Sequence, residues 1–159
     1  MSETARDMLR HTVATLAYRG AKAIRGAPEG FGEFKASPTS RSPSQILAHI
    51  CDLMDWALTQ VQGKQAWTDT TPKTWHDDSQ RFFTALRALD DYLASSEPLA
   101  YTPGQVFQGA IADALTHVGQ INYLRRLYGN PVRGENYFRA DITTGRVESD
   151  QAAPRREFD

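Results

Sequence analysis

Residues 102–131, TPGQVFQGAIADALTHVGQINYLRRLYGNP, decide the fold, because both ends of a long helix are written into them. Thr102 is an N-cap residue type, Pro103 suits the first helical position, and Gln105 completes a capping-box pattern with Thr102. At the far end Gly129 suits the left-handed C′ position, and Pro131 blocks continuation. Between them Val106, Ala110, Ala114, Val118, Ile121, Leu124 and Tyr128 recur at helical spacing as an apolar stripe. Asp113 and His117, one turn apart, sit within or beside that stripe. An acid and an imidazole aimed at a core need partners, because burial of unpaired polar groups is costly.

The same punctuation repeats upstream. Residues from about Thr4 to Gly26 place Leu9, Val13, Leu16, Gly20, Ala23 and Ile24 on one face, with small residues permitting close approach of a neighbour. Pro28, Gly30, Gly32, Pro38 and Pro43 mark a loop over residues 27–43, which Phe31 and Phe34 are expected to tuck against the helices. Ser42-Pro-Ser-Gln45 caps a second helix with the stripe Ile46, Ile50, Leu53, Met54, Ala57 and Val61, closed by Gly63. After the connector KQAWTDT, Thr71-Pro72 reads as the start of a third helix, which carries Trp75, Phe82, Leu86, Leu89 and Leu93 as far as Ser95. Four helices with short connections predict an all-α four-helix bundle over residues 1–132. Residues 133–159 form an extension packed on the bundle or on a partner subunit. A short hairpin is expected around Thr144-Gly145, and flexibility in the polar end ESDQAAPRREFD unless something holds it.

Composition bounds the function. At 159 residues the chain is long enough for one cored domain, and its net charge of −1 gives no support to a nucleic-acid partner. No run approaches the length of a membrane span. MSETARDML lacks the apolar core of a signal peptide, and a single cysteine, Cys51, makes no internal disulfide, so a cytoplasmic protein is expected. Cys51 itself reads as a small packing residue rather than a reactive thiol.

Of the four histidines, His11 and His76 read as solvated, whereas His49 lies on the shoulder of the second stripe near Leu53 and Trp56. His49, Asp113 and His117 together have the composition of a two-histidine, one-carboxylate metal site. The Asp-x-x-x-His spacing puts both side chains on one helix face, about 6 Å apart along the axis. Neutral imidazole and carboxylate suit zinc, iron, nickel or manganese. Three protein ligands leave positions open for water or substrate, as in reactive sites. The alternative is an Asp113–His117 pair inside the bundle.

SPSQILAHICDLMDWAL (42–58) followed by DALTHVGQINYLRRLYGNPV (113–132) resembles the DinB-like superfamily of four-helix-bundle metalloproteins. The resemblance covers roughly residues 4–132. It implies an up-down-down-up topology, with His49 matching the family's histidine from the second helix. His117 and Gln120 match the second half of the His-x-x-x-His-x-x-Gln pattern of the fourth, where Asp113 replaces the first histidine. It further implies a pocket opening toward the 27–43 loop, Gln120 as a ligand-supporting or substrate-orienting group, and Trp56 and Phe34 as pocket walls. The activity it implies is a metal-dependent transferase acting on a small electrophilic substrate with a low-molecular-weight thiol, in a homodimer. The competing expectation is a non-catalytic stress-response or binding bundle with a structural or vestigial polar site.

Overall fold

Capping chemistry sets where the helices begin. The computed structural model describes residues 4–159, so the first three residues of MSETARDML lie outside the described residues. In α1 (Ala5–Ile24) the Thr4 hydroxyl accepts from the Asp7 amide while the Asp7 carboxylate accepts from the Thr4 amide. Ser42 and Gln45 make the same reciprocal pair ahead of α2 (Pro43–Val61). The third start differs from the expected Thr71-Pro72. Thr74 is the cap, accepting from the Asp77 amide at 3.0 Å, and α3 runs Trp75–Ala94. The buried Asp78 carboxylate accepts from the Lys73 amide at 2.8 Å, which holds the chain extended until Thr74.

The fourth helical stretch opens as expected, with Thr102 and Gln105 capping α4 (Pro103–Val106). It is not uniform. A π-helical turn occupies Phe107–Ile111 before α5 resumes over Ala112–Leu127. One extra residue in a turn rotates everything downstream by about 100° relative to an unbroken α-helix. Gly129, at φ +86°, ends the stretch.

The apolar stripes meet in one core. α1 packs on α3 and α5, and α2 packs on the same two helices. Leu16, Met54, Phe82, Leu86 and Ile121 are among the side chains fully enclosed. Gly20 is needed where α1 and α3 touch, since a Cβ there would lie 2.5 Å from the Phe82 ring. Phe31 is buried, edge-on to Trp75 and Tyr128, while Phe34 also packs on Tyr128. The loop is therefore pinned by its two phenylalanines, as its sequence suggests.

Arg125 ties two chain ends together. Only 4% exposed, it donates to the carbonyls of Ala23 (2.9 Å), Arg25 (2.6 Å), Gly26 (3.2 Å) and Asn130 (3.2 Å). These are acceptors that the C-terminal ends of α1 and α5 would otherwise leave unpaired.

The expected hairpin at Thr144-Gly145 does not form. Gly145, at φ +90°, does make a turn, closed by the Arg146 amide donating to the Thr143 carbonyl at 3.0 Å, but no strand ladder extends from it among the described residues. Val147 enters the core, Glu148 pairs with Arg87, and Thr144 bonds His11 Nδ1 at 3.1 Å. Strand pairing instead joins β1 (Gly134–Glu135) to β2 (Glu157–Phe158), antiparallel. Lys22 holds both, donating to Glu135 at 2.7 Å and Glu157 at 3.1 Å, and the Tyr18 hydroxyl donates to the buried Glu135 carboxylate. The polar end of the chain is thus fastened to α1. Among the described residues no helix is long and apolar enough to cross a membrane.

Arg125→Met keeps much of the side-chain volume but removes every donor. We expect a stability loss of about 2–4 kcal/mol, read as a lower urea midpoint at unchanged m-value.

Candidate metal centre

The α2–α5 contact brings together the three side chains that spacing alone could only nominate. His49 comes from α2, Asp113 and His117 from α5, and one ligand atom from each lies within 4.8 Å of the others. His117 Nε2 is 3.4 Å from Asp113 Oδ1, and His49 Nε2 is 3.7 Å from Asp113 Oδ2. Both separations exceed an ordinary charge-assisted hydrogen bond. They come near the separation of donors sharing a tetrahedral ion, about 3.3 Å for bonds near 2 Å. The imidazoles meet edge to face with centroids 4.7 Å apart. Donor type and spacing therefore fit a divalent cation.

Gln120 sets the tautomer of His117. Its Oε1 can only accept, so the 2.7 Å contact to His117 Nδ1 places the proton there and leaves the Nε2 lone pair facing Asp113. The expected supporting role for Gln120 has a geometric basis in this contact. His49 is prepared differently. Desolvation pushes its pKa below the ordinary imidazole value, and the positive potential of His117 and Arg41 adds to the effect, against a weaker pull from Asp113. A neutral imidazole is the form that ligates.

The cluster does not face the core, as the apolar stripe had suggested. Asp113 is 48% exposed and the histidines 22% and 15%, because His49 and His117 line a surface cleft and Asp113 lies beside them near the surface. That cleft has a volume of about 830 Å³ and is lined by Ser40, Arg41, Ile46, His49, Thr116, His117, Gly119, Gln120, Tyr123 and Leu124. It opens beside the 27–43 loop, the end expected. Trp56 and Phe34 are not among its walls. Phe34 anchors the loop on Tyr128, and Trp56 stands one ring further back, edge-on to Trp67, which in turn packs on His49 at 5.7 Å between centroids.

Trp67 and Arg41 are the residues that reading the sequence missed. Trp67 is an aromatic in a polar connector, which is a visible oddity, but its destination is set by tethers distant in sequence. Thr59 accepts from the Ala66 amide at 3.1 Å and Asp52 from the Thr70 amide at 2.9 Å, which lays the connector back along α2. Arg41 borders a capped helix in a serine-rich loop and carries no motif of its own.

The remaining candidates lie elsewhere. His76 is exposed, as expected, whereas His11 is half-buried against Thr144 instead of solvated. Cys51 is fully buried, its thiol donates to the Asp78 carbonyl at 3.4 Å, and burial pushes its pKa up to about 12. It is a packing residue.

No protein-family model matches the chain, and no curated protein or solved structure does so either. The residues of the site and their geometry carry the functional reading by themselves.

The lowered His49 pKa has a signed consequence. The unfolded chain takes up a proton more readily than the folded one, so this contribution to stability is present above about pH 6.5 and lost as pH falls through the lower folded value. We expect chelator-treated wild type to lose more stability between about pH 7.5 and about pH 5 than His49→Gln does, by urea unfolding at each pH.

Proposed function

We propose that this chain is a metal-dependent enzyme of the DinB-like type, holding one divalent cation on His49, Asp113 and His117 beside a substrate cleft. The bundle runs up-down-down-up in this reading. Support comes from side-chain contacts along the helices. Arg6 reaches the Leu93 carbonyl, which supports α1 antiparallel to α3, and Ser44 and Trp75, at the starts of α2 and α3, both lie beside Gly32, which supports α2 parallel to α3. Trp56 lies by Gly109 and His49 by His117, which supports α5 antiparallel to α2.

The observation that carries the proposal is the convergence of three ligating atoms beside a cleft that both histidines line, with Gln120 fixing one imidazole and desolvation lowering the pKa of the other. Zinc, iron, nickel and manganese all suit two imidazoles and a carboxylate. A bound cation would supply Lewis acidity, lowering the pKa of a coordinated water or thiol toward neutrality. Asp113 contributes negative charge that offsets part of the cation's, and its exposure keeps the ligand set open to the cleft. The low-molecular-weight thiol and the electrophilic co-substrate follow from the resemblance of residues 42–58 and 113–132, as do a cytoplasmic setting and a homodimer. Exposed Met8 and Phe107, which share an apolar depression between α1 and α4, support self-association.

Elemental analysis of untagged protein after reconstitution tests the centre. Wild type is expected to retain about one ion per chain and His117→Ala far less. Equal, substoichiometric content in both would sink the metal reading and leave a non-catalytic bundle. For protein that holds metal, thiol conjugation to electrophiles is expected to exceed the metal-free rate.

A further inference from the structure

We propose that the cleft beside His49 and His117 binds a small molecule bearing a carboxylate, and that Arg41 is the residue that recognises it. The inference rests on the metal-centre reading for where the substrate reacts, but the recognition itself needs no cation.

Arg41 lines the same cleft as both histidines and is the one residue lining it that carries a formal charge at neutral pH. Most other arginines are committed. Arg10, Arg81, Arg87, Arg133, Arg146 and Arg155 hold carboxylates, Arg6 and Arg125 hold backbone carbonyls, and Arg19 covers the Tyr137 ring. No hydrogen bond or ion pair within the chain engages Arg41 among the described residues. Its backbone is nevertheless held on both sides. Before it, the Ser40 hydroxyl accepts from the Ser37 amide at 3.1 Å and donates to the Ser37 carbonyl at 3.0 Å. After it, Ser42 enters the capping box of α2. A guanidinium on a fixed mount, facing a cleft and lacking an internal acceptor, is pre-organised for an incoming anion.

Charge and shape narrow the class. The fork of a single guanidinium matches a carboxylate in both geometry and charge. A phosphate dianion calls for more positive charge than one arginine brings, and no lysine or second arginine lines this cleft. Ile46, Leu124 and Tyr123 supply an apolar wall for the carbon skeleton between the carboxylate and the reacting end. With a divalent cation on His49, Asp113 and His117, ion and Arg41 together bring three positive charges against one from Asp113, which favours an anionic substrate further.

The test uses 3-mercaptopropionate and its neutral amide, which differ only at the carboxylate. Each is titrated into wild type and Arg41→Gln, with and without zinc, following the Arg41 side-chain Nε–H resonance and measuring affinity by calorimetry. Wild type is expected to prefer the carboxylate by about 10-fold, as for loss of a bidentate ion pair. Arg41→Gln should abolish that preference while its zinc content and its affinity for the amide stay unchanged. Zinc content, measured separately, reports on the metal centre. If wild type takes up no zinc, the metal reading falls, yet a carboxylate preference in metal-free protein that Arg41→Gln removes still supports Arg41. Equal binding of the two probes, no binding of either in both states, or a preference that survives Arg41→Gln overturns the assignment.

Discussion

Burial of a guanidinium among carbonyls holds one end of this molecule in register. Arg125 projects from the last turn of α5 into the carbonyls that close α1, and it also holds the Asn130 carbonyl beyond its own helix. Because α1 and α5 are locked at that end, the loop leaving α1 starts from a fixed point. Phe31 then anchors the loop between Trp75 and Tyr128. The path from that anchor delivers Ser40 and Arg41 to the rim of the cleft. A charged side chain with no carboxylate partner is an expensive way to fill space. Here it satisfies several orphan acceptors at once and carries positional information from core to site.

The three residues of the candidate centre are held by different forces. The pKa of His49 is lowered chiefly by loss of water around its ring, with the Trp67 ring packed beside it in an edge arrangement. His117 is oriented by a directional bond that its Nδ1–H donates to Gln120. Asp113 is half exposed and is positioned by the helix that carries it. That helix owes its phase to the π-helical turn at Phe107–Ile111, which sits directly upstream. A turn of that kind offsets Asp113 and His117 from the face that α4 presents.

The C-terminal extension shows how long-range charge can override local preference. Thr144-Gly145 has the composition of a hairpin turn, yet Val147 gains more by entering the core than by facing a paired strand. Lys22 gathers Glu135 and Glu157 onto one ammonium group, and the only strand pairing among the described residues forms beside it.

Local chemistry made much of this legible in advance. Caps at Ser42 and Thr102, stops at Gly63 and Gly129, and the helical spacing of apolar residues are short-range signals, so the helices and their buried faces followed from the sequence. The acid-x-x-x-His spacing likewise put Asp113 and His117 on one face of α5. Tertiary structure decided the rest. The start of α3 moved to Thr74 because a carboxylate inside the helix, Asp78, reached back to Lys73. The cluster turned from core to cleft because side-chain burial depends on how neighbouring helices cross, which a periodic stripe does not encode. Trp67 reached the site through tethers at Thr59 and Asp52, which lay the connector back along α2, and Arg41 through a local turn at Ser37 and Ser40 whose place beside the cleft is set by the packing of the 27–43 loop.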